Sequence, residues 1–167
     1  MFQNIGKETF FLFDENHECY DQVDYASGDI FNTEFNLEPR LAAMYQLNEF
    51  SSIKASYGRT VQYAQLASNA SAGIPFDMWF PTSPNIKPQK CDQFSIGYFR
   101  NFLNNEIETS VEFFYKNIHN VIDFADNATL IGNLYIDGEV RAGKGYAYGA
   151  EFLLRKNFGD FSGWISY

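Results

Sequence analysis

The stretch Asp92 to Lys116, DQFSIGYFRNFLNNEIETSVEFFYK, decides the fold. Phe94, Ile96 and Tyr98 alternate with Gln93, Ser95 and Gly97, and then Ile107, Val111, Phe113 and Tyr115 alternate with Glu106, Glu108, Ser110 and Glu112. Side chains on a strand point to opposite faces in turn, so a period of two predicts strands with unlike faces. Asn101 to Asn105 supplies the turn, and the arms keep phase across it. One shared face is apolar and aromatic; the other carries acids.

The same alternation recurs on both sides of this hairpin. In Phe35 to Leu47, the residues Phe35, Leu37, Leu41, Ala43, Tyr45 and Leu47 oppose Asn36, Glu38, Arg40, Ala42, Met44 and Gln46. Pro39 falls on the apolar side of this run, and because it lacks an N–H it predicts a local defect in the strand. After a tight turn at Asn48 to Ser51, Ile53, Ala55, Tyr57 and Val61 alternate with Lys54, Ser56, Gly58 and Thr60. Gly145 to Arg155 sets Tyr146, Tyr148, Ala150, Phe152 and Leu154 against Gly149, Glu151, Leu153 and Arg155. A short turn at Asn157 to Asp160 leads into a last strand, Phe161 to Tyr167.

Between these runs lie three long connections. Lys7 to Glu34 is rich in acids and reads as a long loop holding at most a short hairpin. Tyr63 to Lys90 carries Pro75, Pro81, Pro84 and Pro88, and Ile118 to Lys144 is the third. Loops of this length inside a compact domain are usually functional.

Composition narrows the class. Of 167 residues, 46% are hydrophobic and 19% aromatic, with 18 Phe and 11 Tyr concentrated in the alternating runs, which favours strand over helix. A net charge of −9 and a pI near 4.6 exclude nucleic acid as a partner, since phosphate binding needs a basic patch. Met1 to Lys7 lacks the features of a signal peptide, and no run is long and apolar enough for a membrane helix. By itself this implies a cytosolic chain, unless the sequence is an internal piece of a longer one. Cys19 and Cys91 have no metal or redox spacing, which leaves free thiols or a single disulfide open.

Long and short connections alternate along the chain, so antiparallel strands place every long loop at one end and every tight turn at the other. A soluble sandwich has no need of that segregation, whereas an outer-membrane barrel does. The expected fold is therefore all-β: an antiparallel up-and-down meander of about seven strands, part of a large transmembrane β-barrel. Strands of about 9 to 11 tilted residues cross a bilayer, which matches these runs.

Asn36 to Leu47 (NLEPRLAAMYQL), Ser52 to Arg59 (SIKASYGR) and Asn85 to Arg100 (NIKPQKCDQFSIGYFR) resemble the barrel of TonB-dependent receptors of the Bacteroidota type. Gly143 to Phe152 (GKGYAYGAEF) and Gly163 to Tyr167 (GWISY) fit the same pattern, so the resemblance covers essentially the whole chain. It implies a bacterial outer-membrane receptor that takes up an unidentified small ligand or nutrient, with outer-membrane lipid, a plug domain and the TonB complex as partners. Such barrels have about 22 strands around a plug. Plug, TonB box, signal peptide and closing strand are missing here, so residues 1–167 are expected to be an internal barrel segment.

Under this reading Phe94, Ile96, Tyr98, Ile107, Val111, Phe113, Tyr115, Tyr148, Phe152 and Leu154 face lipid. Glu38, Arg40, Lys54, Glu106, Glu108, Glu112, Lys116, Glu151 and Arg155 face the lumen, where they line a ligand path or pair across strands in a wet interior. Arg59 interrupts the apolar face near the loop end of its strand, and a charge costs about 2 to 4 kcal/mol at mid-bilayer but about 0 to 1 near the interface. Arg59 is therefore expected at the outer boundary.

The loop candidates for ligand contact are Tyr20, Tyr25, Asp77, Trp79 and Phe80, with burial of Trp79 and Phe80 against neighbouring loops as the competing role. Asp14 to Cys19 echoes a calcium loop, but Cys19 stands where glycine is needed. Gly138 to Gly145 falls short of a phosphate-binding loop, since it ends in Gly145 and runs on into a strand pattern. His17 and His119 are isolated, and Asn69-Ala-Ser71 and Asn127-Ala-Thr129 are uninformative acceptor triplets. No metal, cofactor or catalytic residue is expected, and a hydrolase lacks a nucleophile motif. The competing class is a soluble or secreted, lectin-like binding module, which would bury the Phe94 and Val111 face in a dry core.

Overall fold

The computed structural model describes residues 1–14, 17–67, 78–129 and 132–167. Among them the chain forms β1 (Phe2–Phe13), β2 (Cys19–Glu34), β3 (Arg40–Asn48), β4 (Ser51–Gln62), β5 (Ala64–Ala67), β6 (Met78–Pro81), β7 (Gln89–Phe102), β8 (Ile107–Phe124), β9 (Val140–Lys156) and β10 (Gly163–Ser166). A single 3-10 turn, Ile136–Glu139, precedes β9. Six strands, β3, β4, β7, β8, β9 and β10, lie side by side in sequence order in one antiparallel sheet, while β1–β2 and β5–β6 form separate hairpins.

Local chemistry sets these boundaries. β3 begins at Arg40 because Pro39 has no N–H to give to a ladder; its carbonyl instead accepts from the Arg59 N–H at 3.0 Å. The β7–β8 turn begins after Phe102, and Leu103, Asn104 and Asn105 all have positive φ (52°, 54° and 70°). Asparagine tolerates that region better than most residues, and the Asn101 amide donates to the Asn105 side-chain oxygen at 2.8 Å across the turn.

The connections are more ordered than the sequence indicates. Lys7 to Glu34, read as a loop with at most a short hairpin, is most of the long β1–β2 hairpin, with Phe2 opposite Glu34 and Phe13 opposite Cys19. Three register shifts, between Asn4 and Ile5, Gly6 and Glu8, and Leu12 and Phe13, explain the miss: each bulge breaks the period of two. Within the second connection, β5 and β6 pair from Ala64–Pro81 to Ala67–Met78. The third is shortened from both sides, since β8 runs on to Phe124 and β9 starts at Val140.

Two compact units divide the chain. The first comprises Met1–Leu37, Val61–Lys90 and Ile118–Gly145; the second comprises Glu38–Thr60, Cys91–Asn117 and Tyr146–Tyr167. All three long connections fall in the first unit and all three tight turns in the second.

The units differ in how they treat apolar surface. Among the described residues every buried hydrophobic side chain belongs to the first unit: Val61, Ala67, Phe80, Ile86, Ile122, Phe124 and Val140. Met78, Ala128 and Ile136 pack against that core, and Phe80 meets Phe124 edge-on at 5.8 Å. In the second unit Phe94 and Ile96 are 52% and 54% exposed, and Phe113, Tyr148, Phe152 and Leu154 are exposed as well. A dry core beneath the Phe94 face, which a soluble binding module requires, is absent among the described residues.

Phe124→Ala should loosen the first unit, since emptying a buried aromatic site costs roughly 3 to 5 kcal/mol. Amide hydrogen exchange in β5 and β6 should accelerate on the order of a hundredfold or more. Unchanged rates would show that this cluster does not hold the hairpin.

Candidate ligand-contacting site

The six-stranded sheet sorts its side chains onto two faces. On the polar one, Ser56 and Ser95 hydroxyls meet at 2.7 Å, the Lys54 ammonium lies 4.1 Å from the centre of the Phe99 ring, and Arg155 pairs with Glu108 at 3.7 Å. Arg40 lies opposite Gly58 and reaches Glu38 at 4.0 Å. Lys156 pairs with Glu106 at 3.4 Å, at the end of the same hairpin. These pairs are partly exposed, so each contributes little to stability and mainly keeps the face wet.

Gly97 and Gly149 have a packing role on this face that the sequence conceals. A Cβ at Gly97 would stand 2.8 Å from Cγ of Glu112 and 2.9 Å from the Phe99 ring; at Gly149 it would stand 2.9 Å from Phe114. The glycines give room for these rings and for Glu112 to lie flat along the sheet. Lys116 then covers Phe114 at 5.4 Å. Phe99 and Phe114 were missed as polar-face residues because aromatic identity points to the other side.

The apolar face carries a polar cluster at one end. Arg59 donates from Nε to Asp92 Oδ1 at 2.8 Å and from Nη2 to Oδ2 at 2.9 Å, and the Tyr57 hydroxyl donates to Oδ1 at 2.7 Å. Such forked pairing satisfies both carboxylate oxygens. Tyr57 also packs on Phe94 at 4.8 Å, which puts the cluster in the aromatic row. Asp92 was legible only as the start of a strand; its phase with Phe94 was the available signal.

The first unit holds a cavity of about 580 Å³. Phe10 and Phe11 of β1, Phe31 of β2 and Phe80 of β6 form aromatic walls, and Glu8 and Asp137 bring carboxylates. Phe10 packs on Phe31 at 4.9 Å and on Tyr25 at 6.1 Å, while Phe11 meets Tyr135 edge-on at 4.7 Å. The Asn85 amide ties the parts together, donating to the Phe11 carbonyl at 3.0 Å and to Asp137 Oδ2 at 3.2 Å.

Of the five loop candidates, Phe80 lines this cavity and is 5% exposed, the burial that the sequence offered as its competing role. Tyr25 stands behind the wall against Phe10 and Phe31. Tyr20 and Trp79 are 67% and 65% exposed and do not line the cavity, so the structure does not bring them to it. Asp77, with Ile74 to Phe76 and the Asn69-Ala-Ser71 triplet, lies outside the described residues. Glu8, Asn85 and Asp137 were missed; they come from three distant segments, and no local spacing joins them. Cys19 and Cys91 are both free thiols.

Among the described residues no helix is long and apolar enough to cross a membrane, which has no bearing on strands. An antiparallel meander with one open apolar face, one polar face, tight turns in one unit and elaborated connections in the other has the build of a transmembrane β-barrel wall. The family described as TonB dependent receptor-like, beta-barrel matches residues 20–167. The chain belongs to that family of outer-membrane receptors and transporters. No curated protein and no solved structure matches it.

Burial pushes the Asp137 carboxyl above the usual carboxylate range; the Asn85 hydrogen bond pulls it partly back and the nearby Glu8 charge pushes it up again. Ionised Asp137 is therefore disfavoured in the folded state. Below the unfolded value, about pH 4, both states are protonated and nothing is lost; as pH rises through the raised folded value, stability falls. Asp137→Asn should raise the melting temperature of the receptor's loop unit at neutral pH, and the gain should vanish below about pH 4. Equal melting curves at pH 7 would contradict this account of Asp137.

Proposed function

We propose that residues 1–167 are one stretch of a longer receptor barrel, that the second unit crosses the outer membrane, and that the first unit contributes to ligand capture. The carrying observation is the exposed apolar row of the second unit, which has no core of its own to cover. Phe94, Ile96, Tyr98, Ile107, Val111, Phe113, Tyr115, Tyr148, Phe152 and Leu154 face lipid in this reading. Glu38, Arg40, Lys54, Glu106, Glu108, Glu112, Lys116, Glu151 and Arg155 face a water-filled lumen.

Lengths support it. Within the second unit β7, β8 and β9 contribute Cys91–Phe102, Ile107–Asn117 and Tyr146–Lys156, close to the roughly 9 to 11 residues of a tilted span. Arg59 and Asp92 then fall at the outer boundary, at the loop-ward ends of their segments, where a paired charge and aromatic rings are tolerated. Among the described residues β3 and β10 each have one unpaired edge, and all nine residues of β3 are exposed. Open edges are not tolerated in hydrocarbon, so further strands on both sides complete the wall. A plug and the TonB complex are the remaining partners, and the segment performs no chemistry on its ligand.

Single cysteines at Ile96 and Phe113 on one face, and at Glu112 and Glu151 on the other, test the orientation in the full-length receptor in bilayers. A small water-soluble maleimide should label the two Glu positions at least about tenfold faster, because a thiol in hydrocarbon is both shielded and protonated. The opposite order would overturn the assignment of faces.

A further inference from the structure

The 580 Å³ cavity pairs aromatic walls with two carboxyl groups, those of Glu8 and Asp137. Asp137 receives one hydrogen bond from the neutral Asn85 amide, and among the described residues neither it nor Glu8 forms an ion pair. Lys7 also borders the cavity, leaving one cation against two carboxylates. The other titratable group at the lining is Tyr135, while the β6 side supplies Phe80, Pro81, Ser83 and Ile86, none of which titrates.

Three physical terms then agree on the sign of what fits. Glu8 and Asp137 outnumber Lys7 once Asp137 is ionised and then favour a cation, the negative faces of Phe and Tyr rings favour a cation over an anion, and partial burial strengthens both effects. The volume lies within the range of small-ligand sites, and the walls are too apolar for a bare ion alone. A divalent metal is poorly served, since no group of three or more His, Cys, Asp or Glu side chains is placed to hold one among the described residues.

We propose that this cavity accepts a small organic cation, a protonated amine on an apolar or aromatic body, with its ammonium group directed to Asp137 and Glu8 and its body against Phe10, Phe80 and Tyr135. The inference rests on the reading of the first unit as a ligand-capturing part of the receptor. Occupancy supplies the counter-charge that the Asp137 carboxylate lacks. The incoming ammonium thus favours ionised Asp137, and binding is accompanied by proton release when the pH lies below the raised value of that group.

Isothermal titration of the full-length receptor in detergent micelles tests this with three probes that share a phenyl ring: phenethylamine, neutral N-acetylphenethylamine and phenylacetate. Phenethylamine should bind about tenfold or more tighter than its acetylated form, and phenylacetate should bind weakest. Asp137→Asn should reduce that preference at least severalfold, and its continued binding of N-acetylphenethylamine shows that the variant cavity is folded. Equal affinity for charged and neutral probes would overturn the cation proposal and leave the capture reading standing. Failure of all three probes to bind at millimolar concentration would overturn both.

Discussion

Everything in this chain depends on the apolar row that Tyr57, Phe94, Ile96, Tyr98, Phe113, Tyr115, Tyr148 and Phe152 build on one face of a sheet. Large side chains such as Phe94 and Phe113 are roughly half exposed, and the unit they belong to contains no buried hydrophobic residue among those described. In water, a contiguous row of exposed apolar side chains marks a surface made to be covered. Hydrocarbon removes the penalty without any second layer. A sheet that needs no protein core can present its other face to water, and the other face here carries Ser56, Ser95, Glu108, Glu112 and Arg155.

The first unit solves the opposite problem. Its segments are joined to strands that have left the apolar row behind, so they must fold as ordinary protein does, around Ala67, Phe80, Ile86, Ile122, Phe124 and Val140. Most polar side chains inside it are tied by specific bonds, with the buried Gln65 Oε1 left without a partner among the described residues. Gln65 donates to the Lys87 carbonyl at 3.0 Å, Asn120 to the Pro88 carbonyl at 2.9 Å and Asn85 to Phe11 and Asp137. Asparagine and glutamine amides can reach backbone carbonyls across a loop, which helps these connections form a core beyond their own hairpin ladders. The cavity is the part of this unit that the core does not fill.

Much of the sheet was legible because period two is a local signal. The hairpin Asp92 to Lys116, the Asn48 to Ser51 turn and the strand after Gly145 need no knowledge of their neighbours, whereas the strand expected from Phe35 onward starts only after Pro39, at Arg40. The β1–β2 hairpin was not legible, since bulges at Asn4–Ile5, Gly6–Glu8 and Leu12–Phe13 scramble the phase that would reveal it. Phe80 could be named from composition, but Glu8, Asn85 and Asp137 could not, because only the folded chain brings them together. For the same reason the partner of Arg59 was invisible in the sequence: Asp92 lies on a neighbouring strand, reached only after the whole second connection.

The central claim, that the apolar row meets lipid and the opposite row meets water, is tested most directly by magic-angle-spinning NMR of the labelled full-length receptor in bilayers, with magnetisation started separately on lipid chains and on water. Transfer from lipid chains should reach Ile96, Phe113 and Phe152 first, and transfer from water should reach Lys54, Glu112 and Glu151 first. Water arriving at Ile96 and Phe113 as quickly as at Glu112, with no lipid transfer to either, would contradict the account.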